Sequence, residues 1–428
     1  MALTGFGFAF VALLAIGVPI SIGLGGAAMA YVFLIGDLSP TMLVQSTFGG
    51  MTSYPLLAIP LFILAGNLMS EGGLTKDLVG FTRRLLGHVW GGLGLATILA
   101  SAVFAAIAGS AVATAVAIGM VMIPAMKEAG YQSEVAAGVT ATASCMGPII
   151  PPSIPFIMYA VMANVSISAL FLAGAVPGLM LGAGLMIYMY FVAKSRGYPR
   201  EARASLREVL VGGWEALPAL LMPVIIMGGI LGGVFTPTEA AGVVVLYAFL
   251  AGMFVKKQLK LSAVPRLLLA TGLEAAMVML LLGLSEPFAW VIAAEQIPKF
   301  VIEGLTAIST SPWVVLLLIN LVLILIGIPL ETAPAITIVT PVLAPIALQL
   351  GIDPLHLGVV VCFNLVLGLI TPPVGAVLFV TSGMSGLKLD QLARGVWPPF
   401  LVALAVLVLV TYIPALSTAL PKLVLGMP

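Results

Sequence analysis

The sequence predicts an all-α polytopic membrane protein built from two inverted repeats, each of five transmembrane helices plus one re-entrant hairpin. Three observations carry this. Of 428 residues, 61% are hydrophobic and only 8% are charged, against roughly 25% charge in soluble domains. Apolar runs of about 20 residues, the length that crosses a bilayer, recur from end to end. Two of the runs are broken at matching places, Gly147-Pro148-Ile149-Ile150-Pro151-Pro152-Ser153 and Gly368-Leu369-Ile370-Thr371-Pro372-Pro373-Val374. The net charge of +1 argues against nucleic acid as a partner.

In chain order, helices are expected at about 2–17, 20–36 and 54–75. A hairpin at 91–127 follows, then a broken helix at 133–163 and a span at 168–193. The second half carries spans at 215–233, 238–255 and 265–293, a hairpin at 312–350, a broken helix at 357–385 and a span at 397–419. Repeat 1 is thus 1–195, a polar cytoplasmic connection is 196–212, and repeat 2 is 213–428. Met-Ala-Leu-Thr-Gly lacks the basic start and cleavage site of a signal peptide, so the first apolar segment reads as a retained span. Cys145 and Cys362 lie in apolar helices and read as packing residues, not a disulfide or metal pair.

Charge sets the orientation. Fifteen of the seventeen Lys and Arg fall on one face in this layout, leaving Lys299 and Lys422 opposite. The rich face is cytoplasmic by the positive-inside rule, and both termini come out on the other side. The count works only if each hairpin enters and leaves by one face. Arms of about 15 residues, about 22 Å at the helical rise, agree with that, being short of the roughly 30 Å core.

A shift of 221 positions lays Gly130 on Gly351, Pro124 on Pro345, Gly147 on Gly368, and Pro151 and Pro152 on Pro372 and Pro373. Gly174 falls on Gly395 and Pro177 on Pro398, with no gap. Five spans separate the two hairpins, and an odd number turns the second repeat upside down. Gly and paired Pro free backbone groups that hydrocarbon tolerates only beside protein or a wet cavity. Paired broken helices in two halves mark the site of a secondary transporter.

Near its turn the first hairpin reads Ala108-Gly109-Ser110-Ala111-Val112-Ala113-Thr114. One arm ends there with its partly negative terminus and the next begins with its partly positive one. Carbonyls suit a cation, and the Ser110 and Thr114 hydroxyls add hard oxygens. Ser144, Gly147 and Ser153 of the broken helix should face them. The other reading of these small residues is close helix packing.

The second turn carries Glu331 and Thr332, facing Asn364, Gly368 and Thr371. At membrane depth Glu331 would need a cation or a proton; the alternative is a protonated structural carboxyl. Candidate cation ligands on this reading are Gly109, Ser110, Thr114, Ser144, Gly147, Glu331, Thr332 and Asn364, with Gly368 added by the resemblance described below. Candidate substrate contacts at the breaks are Pro151, Ser153, Thr371 and Pro372. No Lys or Arg lies at the predicted midplane, so an anionic substrate would follow cations already bound. Glu239, in Thr236-Pro237-Thr238-Glu239, reads as part of a helix N-cap. Glu286 could line the site. His88 and His356 have no third ligand nearby and do not suggest a metal. No Walker loop or hydrolase motif supports ATP-driven pumping or an enzyme.

At these residues the chain resembles the large membrane subunit of tripartite ATP-independent periplasmic (TRAP) transporters. The resemblance is carried by Ile59-Pro60-Leu61-Phe62-Ile63-Leu64-Ala65-Gly66, Gly109-Ser110-Ala111-Val112-Ala113, Gly147-Pro148-Ile149-Ile150-Pro151-Pro152-Ser153-Ile154-Pro155 and Leu172-Ala173-Gly174-Ala175-Val176-Pro177-Gly178. Phe235-Thr236-Pro237-Thr238-Glu239-Ala240-Ala241 and Gly368-Leu369-Ile370-Thr371-Pro372-Pro373-Val374-Gly375 complete it. It implies an elevator-type ion-transporter fold in the bacterial inner membrane. Hairpins and broken helices would form the moving transport domain, and the remaining spans the scaffold. It further implies sodium-coupled import of an organic acid such as a C4-dicarboxylate or sialic acid, with at least two Na+ ions. The partners implied are a small four-helix membrane subunit and a periplasmic substrate-binding protein, in a membrane of lipid. The family's sodium positions match Ser110, Gly147, Glu331, Thr332, Asn364 and Gly368. Where the family's first turn often reads Ser-Gly-Ser, this chain has Ala108 in the first place.

Two other readings compete. A stand-alone sodium- or proton-coupled carboxylate carrier keeps the architecture and drops the binding protein. A channel or structural subunit changes the class, and leaves the 221-residue repeat of broken helices unexplained.

Overall fold

In hydrocarbon a backbone must satisfy its own hydrogen bonds, and a chain this apolar does so as helices. The computed structural model describes residues 2–35 and 40–426, and no strand occurs among them. The first half comprises α1 (Ala2–Ala15), α2 (Ile20–Ile35), α3 (Pro40–Met51), α4 (Ala58–Glu71), α5 (Leu74–Leu86), α6 (Gly92–Ala108), α7 (Ala111–Glu128), α8 (Ser133–Ser144), α9 (Ile154–Ala163) and α10 (Ile167–Arg196). The second comprises α11 (Leu206–Leu231), α12 (Pro237–Leu250), α13 (Val264–Ala294), α14 (Ile297–Ile308), α15 (Pro312–Gly327), α16 (Thr332–Gln349), α17 (Pro354–Gly368), α18 (Ala376–Ser385), α19 (Leu389–Tyr412) and α20 (Ala415–Leu425). Eight helices among the described residues are long and apolar enough to cross a membrane, and the chain is a multi-pass membrane protein. Two of the eight, α7 and α16, are the second arms of the hairpins.

The repeat read from Gly and Pro is present in three dimensions. Shifted by 221, α7 lies on α16 from first residue to last. Both Pro-Pro bonds in the breaks, Pro151-Pro152 and Pro372-Pro373, are cis. Packing is reciprocal: α18 lies on α7 as α9 lies on α16, and α8 lies on α19 as α17 lies on α10. Such exchange of equivalent partners marks an isologous, two-fold arrangement. The Cys145 thiol reaches the Val366 carbonyl at 3.8 Å, and the two positions are 221 apart. A residue meets its own equivalent only near the axis, so the two broken helices meet back to back at the centre.

The structure corrects several boundaries. The hairpin arms run 16 to 18 residues rather than about 15. That is about 24–27 Å, close to the roughly 30 Å core, and α7 and α16 reach the length and apolarity of a span. Helix α11 starts at Leu206, before the expected 215, because the Ser205–Glu208 capping box begins it in a polar stretch. Helix α19 likewise starts at Leu389, through Asp390, Gln391 and Arg394, and it ends at Tyr412, so the span expected at 397–419 is two helices, α19 and α20. Helices α3, α5, α14 and α20 were not expected. Helices α5 and α14 each precede a hairpin and occupy near-equivalent places in the repeat. Both carry their apolar side chains on one face, so they lack the continuous apolar run of a span. The Thr236–Glu239 capping box is formed as expected.

Two packing groups emerge. Helices α1–α4 pack with α12 and α13, and α5 packs on α11; α5 also packs on α6 of the first hairpin, and α13 and α14 on α16 of the second. The hairpins, broken helices, α10, α19 and α20 form the other group. His356 stitches the second group, with Nδ1 2.8 Å from Ser417 Oγ and Nε2 3.2 Å from the Thr411 carbonyl.

Ion pairs tie several of the basic segments to their neighbours. Ion pairs join Arg83 to Glu201, Arg84 to Glu215, Lys256 to Asp77 and Arg266 to Glu71. The segment after α10 is strapped across the base of the first hairpin. Tyr198 stacks on Tyr131 with centroids 4.3 Å apart. The Arg200 guanidinium lies 4.3 Å above Trp90, and the Glu201 amide donates to the Gly87 carbonyl at 3.0 Å.

Close backbone approach sets a sharp demand at Gly138 of α8, where a methyl group would strike the carbonyl of Gly395 in α19. We expect Gly138→Ala to destabilise the purified protein by about 2 kcal/mol or more. Gly80→Ala in α5, where a methyl group meets nothing within 4 Å, should be neutral or stabilise by up to about 1 kcal/mol. Melting temperatures of the two variants in one detergent check this.

Candidate functional site

The first hairpin turn is built by a left-handed glycine and a capping serine. Gly109 ends α6 with φ +63°, and Ser110 caps α7 by accepting from the Ala113 amide at 3.4 Å. The turn docks on the first break. A methyl group on Gly109 would come within 2.9 Å of the Pro152 carbonyl oxygen and 3.2 Å of the Ile154 amide. One on Gly147 would come within 2.5 Å of the Ser110 carbonyl oxygen and 2.9 Å of Thr114 Oγ1. Gly109, Ser110, Thr114, Gly147 and the 152–154 segment are thus brought together.

Three hydroxyls around this turn have placed their protons. Thr114 Oγ1 donates to the Ser110 carbonyl at 2.7 Å, Ser144 Oγ to Ala141 at 2.7 Å, and Ser153 Oγ to Pro148 at 2.5 Å. Ser153 Oγ also accepts from the Phe156 amide at 3.2 Å. A hydroxyl that has donated still holds acceptor lone pairs. The set is therefore rich in acceptors and carries no side-chain charge. Pro151 and Ser153 are buried with the whole of this break.

The second site has different chemistry at equivalent positions. Ser110 corresponds to Glu331, Thr114 to Ala335, and Ala143 to Asn364. Asn364 is fully buried, and its amide nitrogen donates to the backbone oxygen of Asn320 at 3.0 Å and to Asn320 Oδ1 at 2.7 Å. Asn364 Oδ1 is buried with no hydrogen-bond partner, as is Thr332 Oγ1. Gly368, one turn on from Asn364, lies directly against the Gly327 carbonyl at the end of α15. Thr371 Oγ1 donates to Leu367 at 2.8 Å, and Pro372 is half-buried at the mouth of the break.

Glu331 departs from expectation. Its side chain is exposed and makes no hydrogen bond or ion pair among the described residues, so the burial cost argued for it does not arise within the chain. The second break is also more open than the first: Pro373 and Val374 are exposed, where Pro152 and Ser153 are enclosed. Glu286 is not at either break. It packs against Gly50, between α13 and α3.

Asn320 was missed by sequence reasoning. The available signal was one amide inside the apolar run Leu316-Leu317-Leu318-Ile319-Asn320-Leu321-Val322-Leu323 of a hairpin arm.

Comparison with known proteins bears on this arrangement. Residues 8–416 match the family model described as tripartite ATP-independent periplasmic transporter, DctM component. The chain belongs to this family. Its DctM-family relatives include the C4-dicarboxylate TRAP transporter large permease protein DctM of Pseudomonas aeruginosa, 42% identical over 94% of each chain. The sialic acid TRAP transporter large permease protein SiaM of Vibrio cholerae is 40% identical over 98% of each. The isethionate TRAP transporter permease protein DctMQ of Oleidesulfovibrio alaskensis is 42% identical over 96% of this chain, which spans 65% of that relative's length. Among solved structures, the Alcanivorax borkumensis YdaH transporter matches with a TM-score of 0.65 over 96% of this chain and 97% of that one. At 17% identity that likeness concerns the fold alone. These relatives are permeases, and no catalytic constellation is needed to account for the site.

The contact between Gly147 and the hairpin turn is open to a direct check. We expect Gly147→Ala to push the Ser110–Thr114 turn off the first break, lowering substrate uptake in proteoliposomes at least ten-fold. The melting temperature should fall by only a few degrees, because the displaced turn lies at the end of the hairpin.

Proposed function

We propose that this chain is the large subunit of a sodium-coupled secondary transporter that imports an organic acid anion, a C4-dicarboxylate, sialic acid or a similar compound. A periplasmic binding protein delivers the substrate, and a small four-helix membrane subunit completes the complex. The chain sits in the bacterial inner membrane with both termini periplasmic. The hairpins and broken helices move as an elevator against the α1–α5 and α11–α14 scaffold, and α10, α19 and α20, which pack on the broken helices, travel with them.

The observation that carries the sodium reading is Asn364 Oδ1, a fully buried acceptor with no donor. Leaving such an oxygen unpaired costs about 1–3 kcal/mol. A hard monovalent cation satisfies it without a proton, and oxygen ligands are what such ions take. Thr332 Oγ1 in the second hairpin, and the acceptor-rich turn at Ser110, Thr114 and Gly147 in the first, extend the argument to one ion per repeat. An anion then binds between helix N-termini at the two breaks, next to charge already installed by the cations. The organic-acid class is carried over from the substrates the relatives are named for. Only net charge responds to membrane potential, at about 2.3 kcal/mol per charge per 100 mV, so two cations with a monoanion would respond, whereas a dicarboxylate would need a third.

The test is ligand-linked stability. Purified protein should melt several degrees higher in sodium than in potassium or choline at equal ionic strength, since a ligand at a hundred times its Kd stabilises by about 2.7 kcal/mol. Asn364→Ala should lose part of that rise, and Ser110→Ala another part. A wild type indifferent to sodium and stabilised instead by acid would replace sodium with a proton.

A further inference from the structure

The buried amide of Asn364 does not stand alone. It ends a chain of hydrogen bonds that begins on α19, crosses α15 and reaches α17, and each proton in the chain has one possible place. Thr411 Oγ1 donates to the Leu407 carbonyl at 2.8 Å, so it faces Asn320 as an acceptor. Asn320 Nδ2 lies 2.9 Å from the Leu316 carbonyl and 3.2 Å from Thr411 Oγ1. A carbonyl can only accept, so the nitrogen of Asn320 must point that way and its Oδ1 must point to Asn364. Asn364 in turn presents its nitrogen to two acceptors on Asn320, the backbone oxygen and Oδ1. Flipping Asn364 would set oxygen against oxygen twice. Its own Oδ1 is therefore turned to the remaining side, buried and without a donor.

We propose that Asn320 is a positioning residue for the cation at Asn364: held by Thr411 and the Leu316 carbonyl, it locks the Asn364 amide with its oxygen toward the ion. The inference rests on the sodium reading above. It is peculiar to the second repeat, because the first has Leu99 and Ala143 at the equivalent places. The competing role is a plain interhelical hydrogen bond that ties α15 to α17. That role affects stability alone. Positioning affects the affinity for sodium.

The experiment titrates sodium against choline and reads the half-saturating sodium concentration from the melting temperature of the purified full chain. Wild type is compared with Asn320→Leu, Thr411→Val, Asn364→Ala and the double variant Asn320→Leu with Asn364→Ala. Positioning predicts that Asn320→Leu raises the half-saturating concentration at least ten-fold and Thr411→Val a few-fold. In the Asn364→Ala background, Asn320→Leu should add nothing. If Asn320→Leu does not fold, Thr411→Val, which removes only the far end of the chain, carries the test. A fall in the sodium-free melting temperature with unchanged half-saturation in both variants would reduce Asn320 to a structural tie and overturn this inference alone. No sodium response in the wild type would overturn the sodium reading and this inference with it.

Discussion

Unpaired acceptors at the centre of an apolar protein are the constraint on which the rest of this structure depends. Breaking a helix inside a membrane protein exposes carbonyls that hydrocarbon cannot satisfy. The chain breaks two helices at its centre, and both breaks abut a helix end: the Ser110 turn against Gly147, and the end of α15 against Gly368. Glycine is required at these places because a side chain would occupy the space taken by a neighbouring carbonyl. What remains is a set of oxygens with few donors among them, for which the proposed cations would be the partners.

The two-fold arrangement explains why there are two such places, and the sequence explains why they differ. Cys145 meeting Val366 puts the axis between the broken helices, so the two breaks lie on opposite sides of it. Duplication alone would make the chemistry identical. The first site instead relies on hydroxyls whose protons are tied to local carbonyls, and the second on an amide whose orientation is imposed from α15. The second break is also the more exposed of the two. An amide set from a neighbouring helix can lose its orientation when that helix shifts, whereas hydroxyls bonded within their own helix cannot. On the proposed sodium reading, ion affinity at the second site would be tied to the packing of α15 against α17.

Much of this was legible in the residues. The register of Gly130 with Gly351 and of Pro151-Pro152 with Pro372-Pro373 located the repeat, because Gly and Pro dictate backbone shape independently of context. Gly109, Ser110, Thr114 and Gly147 were identified as one cluster for the same reason, and the structure brings them together. Amphipathic helices such as α5 and α14 escaped because their polar faces dilute hydropathy, and α3 escaped because Gln45, Ser46 and Thr47 do the same. Side-chain partnership was not legible at all. Nothing in the spacing of Asn320, Asn364 and Thr411 shows that three helices bring them into line, and nothing near Glu331 in the chain shows that its carboxylate is exposed.

Direct counting of bound ions tests the central claim. Equilibrium binding of radioactive sodium to the purified protein, competed with choline and with potassium, should saturate at two or more ions per chain. The same measurement on Asn364→Ala should saturate at one fewer. Absence of saturable, sodium-selective binding in the wild type would contradict the claim that the acceptor oxygens at the two breaks are there to hold cations.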